Sequence, residues 1–412
     1  MSGDRIIEVD GQSTLGFESI DVQRTLKGPK GTRVSIRVIR PGYEGMIPFT
    51  ITRGRIPLFS VDSAYMIDPQ TGYIKVGRFA RTTYDEFRKA VENLQARGME
   101  RLMLDLRGNS GGYMDIAVRM ADEFLPDNDL IVSQRGRTED ARWEFRGHPR
   151  GRLEEGAVIV LVDEASASAS EIVAGAIQDH DRGLIVGRQT FGKGLVQQQY
   201  PLPDGSALRV TVSHFYTPSG RLIQTPYQGG DRENYLRDKA EMHHEFALLS
   251  AEEIIERFPD SLRYTTAGGR TVIGGGGIFP DFIVRPDTAS LLLREVFRRN
   301  LTSRFARYWY DRHRGALRAR YGDDQEQYIE TFEVDSGMFE EFLTFASGHG
   351  LDGTGFSRED VEQDQALLKA RIKARLAVRL YDFRAFYRVM HSEDHTFREA
   401  AKLWSHAEAL AH

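Results

Sequence analysis

Between Tyr73 and Arg188 the chain alternates short apolar runs with amphipathic ones, and this rhythm restricts the available folds more than any other feature. YIKVGRF (73–79), RLMLDL (101–106), AVIVLVDEA (157–165) and GLIVGR (183–188) are brief and rich in branched aliphatic residues. Runs of that kind read as buried strands. Between them TTYDEFRKAVENLQARG places Phe87, Val91 and Leu94 on one helical face and stops at Gly98. IAVRMADEFL and SASEIVAGAIQD read as two further helices. Strands alternating with helices predict an α/β core.

The flanks have a different texture. From Gly3 to Arg53 short strands and turns predominate: RIIEVDG, a short helix in SIDVQRTLKGPKGT, an alternating strand in RVSIRVIR, and a strand in MIPFTITR. Residues 225–263 are polar, contain helical stretches such as SAEEIIERF, and read as an insertion. After PDFIVRPD (280–287) the chain turns helical, with Leu368, Ile372, Leu376 and Leu380 every fourth residue and Lys and Arg between them. The spacing predicts a helix whose charges form a solvated face. The expected division is 1–56, 57–287 with the insertion 225–263, and a helical region 288–412, which suits a chain of 412 residues.

Composition excludes several classes. A net charge of -5 offers no general attraction to nucleic acid or an anionic membrane. No run of eighteen apolar residues occurs. The absence of cysteine removes disulfides, thiolate metal sites and a cysteine nucleophile. HHEFAL (243–248) begins like a zinc-binding H-E-x-x-H, but Leu248 stands at the second ligand position. No metal or cofactor is implied.

GRQTFGKG (187–194) nearly spells a phosphate-binding loop. A nucleotide hydrolase would bind magnesium through a final Ser or Thr, and Gly194 stands there instead. The loop must also open a helix, whereas GLVQQQYPLPDG reads as a strand and turn. The nucleotide reading therefore fails on context.

Upstream, DEASASASEIVAGAIQD (163–179) carries a strand end, a turn of small residues and a helix start. A serine hydroxyl there is exposed, and the next backbone N–H points outward, free to stabilise an oxyanion. Ser168-x-x-Glu171 is also a satisfactory capping box, and from this stretch alone the cap is the commoner explanation. A nucleophilic serine needs a base, and no histidine here carries a recognisable signature. Lysine serves where burial favours its neutral form, and Lys193 lies in the otherwise uncharged FGKGLV.

Taken together, SASASEIVAGAIQDHDRGLIVGRQTFGKGLVQ resembles the signature of the C-terminal processing peptidases, the tail-specific serine proteases. The resemblance implies that Ser168 is the nucleophile and that Lys193 is the general base, at the family spacing of 193 − 168 = 25. It implies that Gln197 orients the lysine amine and that Asp179 supports the site's architecture. LDLRGNSGG resembles the family turn beside the nucleophile, where the amide of Gly111, with Gly112 close behind, would join that of Ala169 in an oxyanion hole. Read alone, the same turn is equally a tight strand-to-helix connection with no catalytic duty. YTPSGRLIQ (216–224) and GGGGIFPDFIV (274–284) also match family sequence. The implied fold is an α/β protease core, a β/β/α spiral of the ClpP/crotonase type. The implied substrates are proteins with exposed or unstructured C-terminal tails, and the implied location is periplasmic or otherwise extracytoplasmic.

GDRIIEVDG…LKGPKGTRVSIRVIR resembles part of a PDZ domain. Only Met1 and Ser2 precede its G-D-x-I, so the carboxylate-binding loop and adjoining strand are missing from this sequence, as is a secretory leader. Either the chain is truncated or its PDZ portion lacks the groove. A non-catalytic ligand- or peptide-binding relative of the same fold is the alternative reading, and the joint presence of Ser168, Lys193 and Gln197 argues against it. Oligomeric state and membrane association are not legible.

Overall fold

The structure is a computed structural model describing residues 4–40, 43–55, 59–149, 151–227, 232–286, 289–351 and 356–410. The start of the PDZ-like segment, at Met1 and Ser2, lies outside the described residues. In chain order the first elements are β1 (Arg5–Val9), β2 (Gln12–Ser13), α1 (Ser19–Leu26), β3 (Arg33–Ile39) and β4 (Met46–Thr52). Then come β5 (Val61–Met66), β6 (Thr71–Val76), α2 (Thr83–Gln95), β7 (Arg101–Asp105), α3 (Met114–Asp122), β8 (Leu130–Gly136) and β9 (Trp143–Arg146). β10 (Val158–Val162), α4 (Ala169–Asp179), β11 (Leu184–Gly187), β12 (Leu195–Pro201) and β13 (Ala207–Tyr216) follow. The insertion supplies α5 (Arg232–Phe246) and α6 (Ala251–Arg257), and β14 (Arg263–Thr265), β15 (Thr271–Ile273) and β16 (Phe282–Ile283) come after it. The rest is helical: α7 (Leu291–Arg298), α8 (Leu301–Tyr321), α9 (Gln325–Thr331), α10 (Ser336–Ala346), α11 (Arg358–Leu380), α12 (Arg384–Met390), α13 (His395–Ala400) and α14 (Trp404–Leu410).

These elements form two compact units, residues 1–58 with 289–390, and residues 59–288 with 391–412. In the first, β2-β1-β3-β4 make an antiparallel sheet. Its small core comes from the alternation in β3, where Val34, Ile36 and Val38 are buried with Val9. Within the helical part, Leu368, Ile372 and Leu376 of α11 are fully buried, as the four-residue spacing predicts. The cations between them depart from the expected solvated face. Arg371 lies over the Phe297 ring at 4.0 Å and Arg375 over Phe386 at 4.6 Å. Both are half-buried, and burial pushes the Arg371 guanidinium down to about 10. Long cationic side chains cover apolar surface with their stems, which residue spacing alone does not reveal.

The second unit realises the α/β alternation. Its main sheet has the order β16-β11-β10-β7-β6-β5, parallel throughout except for the antiparallel edge strand β5. Each successive βα step moves one strand across the sheet in the same direction, from β6 to β7, β10, β11 and β16. Every residue of β10 and β11 is buried, consistent with a sheet covered on both faces. A second, antiparallel sheet has the order β12-β13-β8-β9.

The final stretch, 391–410, belongs to this second unit rather than with the helices 289–390, so the helical region expected over 288–412 is divided between the two. An amphipathic helix announces that it packs, but not on which body. His391 stacks on Phe397 with ring centroids 3.7 Å apart, meets Tyr73 edge-on at 4.5 Å, and bonds the Tyr65 hydroxyl through Nδ1. Arg101 of β7 lies over the Trp404 ring at 4.5 Å and reaches Glu408 at 3.2 Å.

Burial pushes the His391 imidazole down to about 3, with Asp394 and Asp105 pulling upward and Arg107 and Lys75 downward. An unfolded chain takes up this proton below about pH 6.5, so the folded state loses stability as pH falls from there toward the folded value. His391→Gln is expected to melt lower than the parent at neutral pH, yet to lose less on acidification to about pH 5. Parallel thermal melts across that window check this, and equal acid slopes would refute it.

Candidate active site

β10 ends at Val162, and the chain turns through residues 163–168 into α4. One carboxylate shapes that turn. Asp163 Oδ1 accepts from the amides of Gly108 (2.8 Å), Ala165 (3.1 Å) and Ser166 (3.1 Å). The three serines of the run then separate by role. Ser166 Oγ donates to the Leu106 carbonyl at 2.9 Å and Ser170 Oγ to the Asn109 carbonyl at 2.8 Å, and both side chains are buried. Ser168 is the one that lines an open cleft. Its backbone sits at φ 57°, ψ -110°, a conformation that costs a non-glycine residue energy and persists only where neighbours over-determine it.

The capping box read from the sequence is present, and its glutamate does more than cap. Glu171 is fully buried, and its two oxygens accept four hydrogen bonds. Ser168 N donates at 2.7 Å and Lys193 N at 2.9 Å, while Thr190 Oγ1 and Gly192 N each donate at 2.6 Å. Burial pushes its pKa above the ordinary carboxylate value, and the donors oppose the rise. One side chain thus fixes the Ser168 turn and the 190–193 loop to a common point. The sequence showed only the local half of this arrangement, because the other half crosses about twenty residues.

Around the same cleft, of about 620 Å³, stand Lys193, Gln197, Gly111 and Gly112. The FGKG segment runs into strand β12, not a helix, which removes the remaining support for a phosphate loop. Gly194 N donates to Gln224 Oε1 at 3.0 Å, and Thr225 N donates to the Gly192 carbonyl at 3.1 Å, so the YTPSGRLIQ segment braces the loop. Gln197 follows on β12, where the register against β13 shifts between Val196 and Gln197. Such irregularities re-aim side chains beside functional sites.

The glycine turn lies hard against the nucleophile candidate. A Cβ on Gly111, at φ +96°, would stand 2.6 Å from the Ala167 carbonyl and 2.9 Å from Ser168 Cβ, so only glycine fits. The Gly111 amide, however, donates to Asn109 Oδ1 at 2.9 Å. Among the described residues no acceptor takes the amides of Gly112 or Ala169. The choice between adjacent glycines turns on the Asn109 side chain, a residue the sequence did not single out.

Asp179 stands apart from the cleft, at the far end of α4, about 16 Å along the helix axis from Ser168. It pairs with the buried Arg221 at 2.7 Å and accepts from Ser219 N at 2.9 Å and Ser219 Oγ at 2.7 Å. It therefore anchors the start of the loop that braces Gly194. Lys239 was also missed. It comes from α5 of the insertion, is buried, and sits 3.5 Å from the centroid of the Phe191 ring. Burial pushes it down to about 8. No spacing signal in 225–263 points to it.

Glu171→Gln replaces a pure acceptor with a group carrying donors, facing four donors. Each donor left unpaired costs about 1–3 kcal/mol, so a marked fall in the urea midpoint is expected. A midpoint equal to the parent's would refute the four-donor arrangement.

Two family models match parts of the chain. Residues 70–229 match the model of peptidase family S41, and residues 292–382 match DUF8443, a family of unknown function. The carboxy-terminal-processing protease of Bartonella bacilliformis is 36% identical over 228 residues, covering 54% of this chain and 52% of that protein. The carboxyl-terminal-processing protease of Synechocystis is 35% identical over 221 residues, covering 52% of this chain and 50% of that protein. The solved photosystem II D1 C-terminal processing protease is 31% identical, covering 54% of this chain and 60% of that chain, with a TM-score of 0.36. The chain spans about half the length of the curated relatives it matches. Residues 70–229, which hold every residue lining the cleft, match peptidase family S41 and are similar to the carboxy-terminal-processing proteases.

Proposed function

We propose that the chain is a serine endopeptidase working through a Ser168–Lys193 dyad on proteins with unstructured C-terminal tails. The observation that carries this reading is the pair of backbone amides, Ser168 N and Lys193 N, held by one buried Glu171 carboxylate beside an open cleft. Neutral Lys193 takes the Ser168 proton as Oγ attacks a peptide carbonyl carbon. The oxyanion is received by the Ala169 amide and a second amide from the glycine turn. With the Gly111 amide engaged by Asn109, Gly112 takes that second place in our reading. Lys193 returns the proton to the leaving amine, and water then hydrolyses the acyl-enzyme. Gln197 orients the amine, and Asp179 acts at a distance through the 217–221 loop.

β12 supports the substrate class. It is an edge strand of its sheet, and Leu195 to Gln199 line the cleft, so an extended chain can lie beside it as an added strand. A folded segment cannot. The reading carries with it a PDZ-like role for the sheet of residues 5–52 and a periplasmic or otherwise extracytoplasmic setting. No helix among the described residues is long and apolar enough to cross a membrane.

Incubation with an unfolded protein, followed by mass spectrometry, tests the function. The parent is expected to cut. Ser168→Ala and Lys193→Ala are each expected to lose at least about a hundredfold, and Gln197→Ala to retain partial activity. Undiminished cleavage by Lys193→Ala would remove the dyad.

A further inference from the structure

The turn beside Ser168 is held from its other side by a part of the chain that neither family model covers. Arg107 lies between two carboxylates. Its Nη2 donates to Asp105 Oδ2 at 2.7 Å, and its Nη1 and Nη2 donate to Asp394 Oδ1 and Oδ2 at 2.8 and 2.7 Å. Asp105 also receives the Tyr73 hydroxyl at 2.8 Å and Lys75 Nζ at 3.0 Å, and Lys75 reaches the Arg107 carbonyl as well. Two cations and two carboxylates make a neutral cluster, and three of the four side chains come from the peptidase core. The fourth, Asp394, caps α13 by accepting from Phe397 N at 3.0 Å.

From Arg107 the path to the nucleophile is short and fully bonded. Gly108 N is fixed to Asp163, and the Asn109 side chain donates to the Val76 carbonyl at 2.9 Å. The Asn109 carbonyl accepts from Ala167 N at 3.0 Å, one residue before Ser168. Loss of the Asp394 charge would leave a largely buried guanidinium half-paired and the cluster at plus one. Buried charges tolerate that poorly, and the turn would shift to let water in.

We propose that the C-terminal arm, residues 391–410, is a positioning element of the active site: Asp394 holds Arg107 and so fixes the glycine turn facing Ser168. This rests on the peptidase reading for its catalytic half, and on the ion cluster alone for its mechanical half. The two halves are measured separately.

Three full-length variants are compared with the parent. Asp394→Asn keeps size and capping ability but removes the charge, Asp394→Glu restores the charge, and Leu94→Ala weakens the α2 core away from the turn. Hydrogen exchange at residues 106–113, read by mass spectrometry, is expected to quicken in Asp394→Asn, recover in Asp394→Glu and stay at the parent rate in Leu94→Ala. On an unstructured peptide substrate Asp394→Asn is expected to lose about tenfold in kcat at nearly unchanged KM, since small displacements of a positioned group cost rate rather than binding. Parent-like exchange in Asp394→Asn overturns the proposal. Faster exchange with unchanged kcat also overturns it, reducing the arm to a stabilising strap. If the parent itself cuts nothing, the peptidase reading falls, while the exchange data still decide whether the arm holds the turn.

Discussion

A carboxylate taken wholly out of water is the constraint on which the site depends. Glu171 gives up its hydration and receives four donors in return, from a hydroxyl and three backbone amides. Such a group is tolerated inside a protein only when every lone pair is matched. The four donors come from two separate loops, each leaving a different strand of the main sheet. Matching them all forces the loops into one relative placement. The strained backbone of Ser168 is a result of that placement, held by Glu171 on one side and by the Asn109–Ala167 bond on the other.

Rigidity at this point descends from the sheet. β7 and β10 are adjacent parallel strands, and the turns that leave their carboxyl ends are the ones that cross-link through Asp163, Ser166 and Asn109. Hydroxyls and amides that would otherwise be stranded beneath the surface satisfy one another across the gap. Ser168, Lys193 and Gln197 are left facing the cleft, beside the glycine turn. Binding sites outside the carboxyl ends of parallel strands follow the same logic.

Much of this was legible in the sequence, and the failures have physical causes. The strand–helix alternation from Tyr73 to Arg188 forecast the main sheet, because period and burial are local properties. Ser168, Lys193 and Gln197 were singled out through motif and spacing, and the three line one cleft. Glu171 was half visible, since a capping box spans three residues while its bonds to Thr190, Gly192 and Lys193 do not. The preference for Gly111 over Gly112 ignored the Asn109 side chain, which occupies the Gly111 amide. Lys239, and the allegiance of residues 391–410, depend on which surface a helix meets. Cations along α11 lie across aromatic rings because their stems are apolar, and a pattern of letters does not distinguish stem from head.

The unit that holds the cleft is assembled from residues 59–288 and 391–412, with about a hundred residues of helix between them. Chains fold in the order in which they leave the ribosome, and contacts distant in sequence close late. Ser168, Lys193 and the main sheet are therefore made long before Asp394 exists to meet Arg107. During synthesis the nascent chain passes through an interval in which Ser168 and Lys193 are already present and the ion cluster at Arg107 is incomplete. Translation itself becomes a timer for the ion cluster, closing it only once residue 394 has emerged.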